Sequence, residues 1–168
     1  MRRFFLTLIV LVLVAYAVQR VRGFFISDEE RIQAKVEEML EGFNEAKAAT
    51  CLRGLSPNWR DGQTGIARGF LARVLHGSLF QEEDPQTKRF LYRVELEEQL
   101  AIVLDPEEGE RASIEMLAHF ETLRDGAWSS TWRVRVEAEM KKDPDRGWEA
   151  IRTERETLWS DGRLIRGH

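Results

Sequence analysis

Between Trp132 and Met140 the chain reads WRVRVEAEM: Trp132, Val134, Val136, Ala138 and Met140 are apolar and Arg133, Arg135, Glu137 and Glu139 are charged. Successive side chains of a strand point to opposite faces, whereas a helix would smear this pattern around its circumference. The segment is therefore a strand with one face in a core and the other in water, and its neighbours must obey the same division. The turn chemistry of KKDPDRG follows, and then a second charge-rich stretch, WEAIRTERETLW. Together they form a hairpin whose register the charges constrain. If paired residue numbers sum to 289, Arg133 faces Glu156, Arg135 faces Glu154 and Glu137 faces Arg152. A slip of one residue would push Arg152, Glu154 and Glu156 onto the apolar face, where unpaired charges are costly.

That register turns Ile151, Thr153, Arg155, Thr157 and Trp159 inward. Arg155 is out of character there and needs an anion. Glu98, which alternates onto the same face as Val94, Leu96, Leu100 and Ile102, is the candidate carboxylate. Two readings follow: an ion pair or snorkelling arginine at the sheet edge, or a pocket floor of Glu98, Thr153 and Arg155 that meets a polar or anionic group.

Upstream the periodicity is helical. Ser27 and Glu30 form a capping box, and Ile32, Val36, Met39 or Leu40, and Phe43 recur at helical spacing, which predicts a helix over 28–50. Gly54 and SPNW interrupt it. Ile66, Phe70 and Val74 then predict a second helix over 63–76, with Gly77 as its cap. Beyond Asp84-Pro85 the pattern changes to antiparallel strands over 92–104, 111–122, 129–141 and 148–159, separated by DPEEGE, LRDGA and KKDPDRG. Helices first and a meander afterwards define an α+β class: amino-terminal helices packed on a curved, mainly antiparallel four-stranded sheet.

The first 25 residues differ from everything after them. A basic start precedes a 15-residue apolar run from Phe4 to Val18, the layout of a signal or a membrane anchor. At about 22 Å as a helix the run is short against a hydrocarbon core of about 30 Å. It lengthens to a single pass over residues 4–25 if Arg20 and Arg22 snorkel. Ala15-Tyr16-Ala17 offers cleavage as the alternative. The expected division is 1–26 as signal-anchor or signal and 27–168 as the domain. The expected location is a single-pass membrane protein with its domain outside the cytoplasm.

All 29 acidic residues lie at or after Asp28, so that part carries 21 − 29 = −8 formal charges and is a poor partner for nucleic acid. The single cysteine, Cys51, reads as a small buried residue. Histidines and cysteines are not clustered for a metal, and no phosphate loop or nucleophile elbow is present. His76 and His168 sit at a helix end and a chain end, and His119 alternates onto the outer face. The run Glu82, Glu83, Asp84 reads as a solvated loop, and Trp59 and Trp148 read as core or sheet-edge packing.

The order of elements, the break in CLRGLSPNWRDGQTGIARGFLARVL, and the terminal pair WRVRVEAEM and WEAIRTERETL resemble the nuclear transport factor 2-like (SnoaL-like, cystatin-like cone) superfamily over residues 28–160. The resemblance implies a curved sheet wrapped on helices, often around a cone-shaped pocket. Members use it for isomerase or dehydratase chemistry, for binding or for assembly, and many pair sheet against sheet. Its enzymes place a histidine and an aspartate, or an aspartate with a tyrosine, inside the cone, and this chain departs from both patterns. The expectation is thus a tethered or exported binding or assembly domain without catalytic, metal or cofactor residues, which binds a partner protein, a small ligand or its own copy through the sheet. A small isomerase, dehydratase or hydrolase working around Glu98 and Arg155 is the alternative.

Overall fold

The computed structural model describes residues 26–84 and 87–161. The apolar run at 4–18 and the anchor drawn from it lie outside these. Among the described residues no helix is long and apolar enough to cross a membrane. The described residues fall into two units, 26–31 and those from Ile32 onward. In the first, the capping box forms as its spacing requires: the Ser27 amide donates to Glu30 Oε2 at 2.9 Å and the Glu30 amide donates to Ser27 Oγ at 3.2 Å.

Helix α1 (Asp28–Asn44) contributes Ile32 and Val36 to the core of the second unit, with Met39, Leu40 and Phe43 packed against it. It stops six residues before the expected end. Ala46 takes a left-handed φ of 54° and the Lys47 amide closes onto the Gly42 carbonyl at 2.7 Å. A short helix, α2 (Ala48–Cys51), then folds back on Gly42, where a Cβ would lie 2.5 Å from the Cys51 nitrogen. The freed Asn44 amide caps the outer edge of the sheet, donating to the Val94 carbonyl at 2.9 Å and accepting from its amide at 2.7 Å.

After a 3-10 turn the segment containing SPNW is a strand, β1 (Leu55–Asp61), and α3 (Arg68–Gly77) follows. Both depart from expectation. β1 tolerates Pro57 because it is an edge strand with an irregular register between Leu55 and Arg60. α3 starts late because residues 62–66 form the loop that closes β1. The remaining strands are β2 (Tyr92–Leu96), β3 (Ala101–Leu104), β4 (Arg111–Arg124), β5 (Ala127–Asp143) and β6 (Gly147–Ser160).

Among the described residues the sheet has six strands in the order β1-β6-β5-β4-β2, with β3 also on β4; β1 runs parallel to β6 and the other pairs are antiparallel. The α+β class and helix-first order hold, and the sheet gains β1 and a divided first strand over the four expected. That division has a countable cause. Four residues, 97–100, span the interval that Met116 and Leu117 span on β4, so two extra residues bulge out. The β4–β5 turn is Asp125-Gly126, both at positive φ, which suits a two-residue hairpin.

The core lies between the helices and one sheet face. Phe43 sits at its centre, edge-on to Phe80, Phe90 and Phe120 at centroid distances of 5.6, 5.7 and 5.7 Å. Phe120 leans on Trp132 at 5.0 Å. Trp59 and Trp148 are both buried in the same core.

Candidate functional site

The inward arginine is real but its partner is another residue. Arg155 Nη1 donates to Asp61 Oδ2 at 2.8 Å, and Asp61 is buried at the end of β1. The other Asp61 oxygen accepts from the Thr64 amide at 2.7 Å and the Thr64 hydroxyl at 2.5 Å. The Gly62 amide donates to the Thr153 carbonyl at 2.7 Å, and the Gln63 side chain donates to the Arg155 carbonyl. The loop 61–65 is thereby stapled along β6. Burial raises the Asp61 carboxyl, but the two Thr64 bonds and the Arg155 charge outweigh it and hold the group below the usual carboxylate range.

Of the expected trio, Thr153 and Arg155 are therefore neighbours, while the bulge of 97–100 lifts Glu98 into solvent. Asp61 takes the role assigned to Glu98. Its signal was the Asp-x-x-Thr spacing of an Asx-type turn in DGQTG, which the reading of SPNW as a break obscured. Cys51 is half-buried against the core and not fully buried as expected, and burial pushes its thiol up to about 11, so it is protonated at neutral pH. No group of three or more His, Cys, Asp or Glu among the described residues is placed to hold a metal ion.

The hairpin register also differs. Glu156 faces Arg135, Glu154 faces Glu137 and Arg152 faces Glu139, so the sum is 291 and not 289. Both sums are odd, which keeps Thr153, Arg155 and Thr157 on the inner face with Ala138, Val136 and Val134. At each end β6 carries one residue more than β5, at Ile151 and at Leu158. The first bulge moves Ile151 off the inner face, where Ala150 and Trp148 take its place. The second turns Trp159 outward opposite Arg133, 46% exposed.

What results is an outer face of stacked rows. One row holds His119, Arg133 and Trp159; the next Leu117, Arg135 and Glu156; the next Glu115, Glu137 and Glu154; the last Ser113, Glu139 and Arg152. His119 lies outward as its alternation required, 2.7 Å from Ser130 Oγ. Arg135 reaches Glu115 at 3.0 Å and Glu156 at 2.8 Å, Arg133 reaches Glu97 at 2.5 Å, and Arg152 reaches Glu154 at 2.6 Å. Glu137 and Glu139 have no cation partner among the described residues. They border a cleft of about 440 Å³ shared with Ala101, Val103, Ser113, Glu115, Arg152 and Glu154, and Val103 on its rim is 64% exposed.

Chemically, this face offers unpaired carboxylates, a detached aromatic ring and an apolar rim, the ingredients of a protein-binding surface. The Asp61–Arg155 pair offers a satisfied charge.

No family model and no curated protein matches the chain. Solved structures do match. A nuclear transport factor 2-like protein with a cystatin-like fold from Novosphingobium aromaticivorans is 16% identical, with 88% of this chain and 90% of that one covered and a TM-score of 0.65. A Catenulispora acidiphila protein in complex with S-DNPA is 16% identical, over 75% and 90% of the two chains, at a TM-score of 0.57. The S. rosetta CaMKII hub is 15% identical, over 75% and 93%, at 0.53. The chain thus has the nuclear transport factor 2-like, cystatin-like fold.

Proposed function

We propose that this chain is a membrane-tethered, non-enzymatic binding and assembly domain that meets a protein partner through the outer face of its sheet. The observation that carries this reading is the contrast between the two sheet faces. Phe43, Phe80, Phe90 and Phe120 pack edge to face on the inner side, and Trp132 lies tilted against Phe120. The outer side leaves Glu137 and Glu139 unpaired beside a cleft and presents Trp159 to water. The catalytic alternative needs Arg155 open to a ligand, and its guanidinium is engaged by Asp61. Among proteins of similar fold one is a complex with S-DNPA and another a CaMKII hub, so the fold alone favours neither reading, and the contrast of the two faces supports the binding one. The tether rests on the apolar run Phe4–Val18 and its flanking arginines.

A photo-crosslinking residue placed at position 137 of the full chain tests the reading, with position 73 on α3 as the control surface. Covalent protein adducts from 137 and none from 73 are expected, in a membrane fraction that resists salt washing. Adducts from 73 alone, or none from either, would overturn the assignment of the face. Recovery of a shortened chain in the soluble exported fraction would overturn the tether.

A further inference from the structure

We infer that the edge of β3 takes up an extended segment of a partner protein as an added strand, with side chains that alternate basic and apolar; this rests on the reading of the outer face as protein-binding. The observation is a difference among the edges of the sheet. A free edge is a row of unpaired amides and carbonyls, and native folds usually blunt it. β1 is blunted by Pro57 and its irregular register, and at β2 the Asn44 side chain closes both outward groups of Val94. β3 has neither device. Ala101 pairs with Glu115 and Val103 with Ser113, a register that the Asp105 amide continues by donating to the Arg111 carbonyl at 2.9 Å. Bonded and non-bonded pairs alternate along an antiparallel ladder, so Ala101 and Val103 bond to β4 while Ile102 and Leu104 turn their amides and carbonyls outward. Among the described residues nothing pairs with those outward groups.

The side chains beside this edge select the occupant. Ile102 and Leu104 are half-buried on the inner face against the core, which suits apolar side chains on an added strand. On the outer face two rows run inward from the edge, Ala101-Glu115-Glu137 and Val103-Ser113-Glu139. Ala101 and Ser113 are small, and the cleft is the space above them. A residue opposite Ala101 on an added strand lies two strand spacings, about 10 Å, from Glu115. An arginine there lays its stem over the Ala101 methyl and puts its head among the carboxylates of the cleft. A second cleft of about 520 Å³ continues past Val103 to Asp105, Pro106 and Glu107.

Charge also decides between a partner and a second copy at this edge. From Glu97 to Glu110 the chain carries six carboxylates and no lysine or arginine. Two copies joined edge to edge would set these runs side by side, and like charge disfavours that pairing. A basic strand meets the opposite sign along its whole length. Main-chain bonds to Ile102 and Leu104 then supply affinity, and the alternation of side chains supplies specificity.

A fluorescent peptide of sequence RVRVRV, added to the full chain in non-ionic detergent, tests this, with EVEVEV as the charge control and a fully N-methylated RVRVRV as the pairing control. RVRVRV is expected to bind saturably and to slow hydrogen exchange at the Ile102 and Leu104 amides. EVEVEV is expected not to bind, and N-methylation, which keeps the charge and removes the donors, is expected to weaken binding about tenfold or more. Leu104→Pro removes an outward donor without touching a bond to β4, and Val103→Lys sets a like charge at a position 64% exposed. Each is expected to bind RVRVRV about tenfold or more weakly, and Val103→Lys decides if Leu104→Pro fails to fold. No binding of RVRVRV, equal binding of its N-methylated form, or unchanged binding to Val103→Lys would each overturn the added strand. A wild type that self-associates in sedimentation velocity and loses this in Leu104→Pro would put a second copy at the edge and overturn the basic partner. If RVRVRV does not bind but position 137 still crosslinks to a protein, the outer-face reading stands and only this inference fails; if position 137 crosslinks to nothing, both fail.

Discussion

Asp61 is the residue on which the β1–β6 junction turns, because its two oxygens accept from the Arg155 guanidinium, the Thr64 amide and the Thr64 hydroxyl, three donors that together close the loop. Asp61→Ala strands the Arg155 charge and the Thr64 donors, and is expected to cost about 1 to 3 kcal/mol in urea unfolding, the range for a lost charge-assisted hydrogen bond where Arg155 is still part-solvated. The sign with pH is set by the depressed folded value. The contribution of Asp61 is complete above the ordinary carboxylate range of about 4 and disappears as pH falls through the lower folded value. The stability gap between wild type and Asp61→Asn should therefore narrow below about pH 4, read from urea midpoints across pH. Gly42 gives a second residue-scale test. Alanine is the better helix former by about 1 kcal/mol, yet its Cβ would lie 2.5 Å from the Cys51 backbone nitrogen. Gly42→Ala is expected to lower the melting temperature, against its propensity.

At the scale of elements, parity was legible and counting was not. Alternation in WRVRVEAEM assigned faces correctly because a strand has only two, and any odd register keeps the same residues inward. The register itself depends on single extra residues at Ile151 and Leu158, and an isoleucine or leucine that bulges looks like one that does not. The same blindness hid β1, whose Pro57 signals a break unless the strand is known to be an edge, and it misplaced Glu98, which shares a face with Leu96 only if 97–100 carries no bulge. Capping at the other sheet edge was equally silent, since Asn44 acts on Val94, fifty positions away. Asn44→Ala should leave the amide and carbonyl of Val94 without partners and destabilise by about 1 to 3 kcal/mol, with faster hydrogen exchange confined to β2 and the adjoining part of β4.

For the whole molecule, the candidate site moved from the inside of the sheet to its outside. The inward arginine drew attention because a charge among apolar residues is rare, but a rare charge is as often structural, and here Asp61 accounts for it. The outer charges looked fully matched while three opposite-sign pairs were assumed. With the true register Glu137 faces Glu154 and Glu115, and the face is left with an acidic row and a basic row. Two exposed aromatic side chains separate the surfaces cleanly, since Trp159 on the sheet and Phe70 on α3 are 46% and 47% exposed. Hydroxyl-radical footprinting of the full chain in its own membranes, compared with the same chain diluted in detergent, reads both at once. Labelling of Trp159 and of the cleft residue Val103 is expected to fall in the membranes while Phe70 is unchanged; equal labelling of Trp159 in both states, or protection of Phe70 in its place, would rule out the outer sheet face as the docking surface.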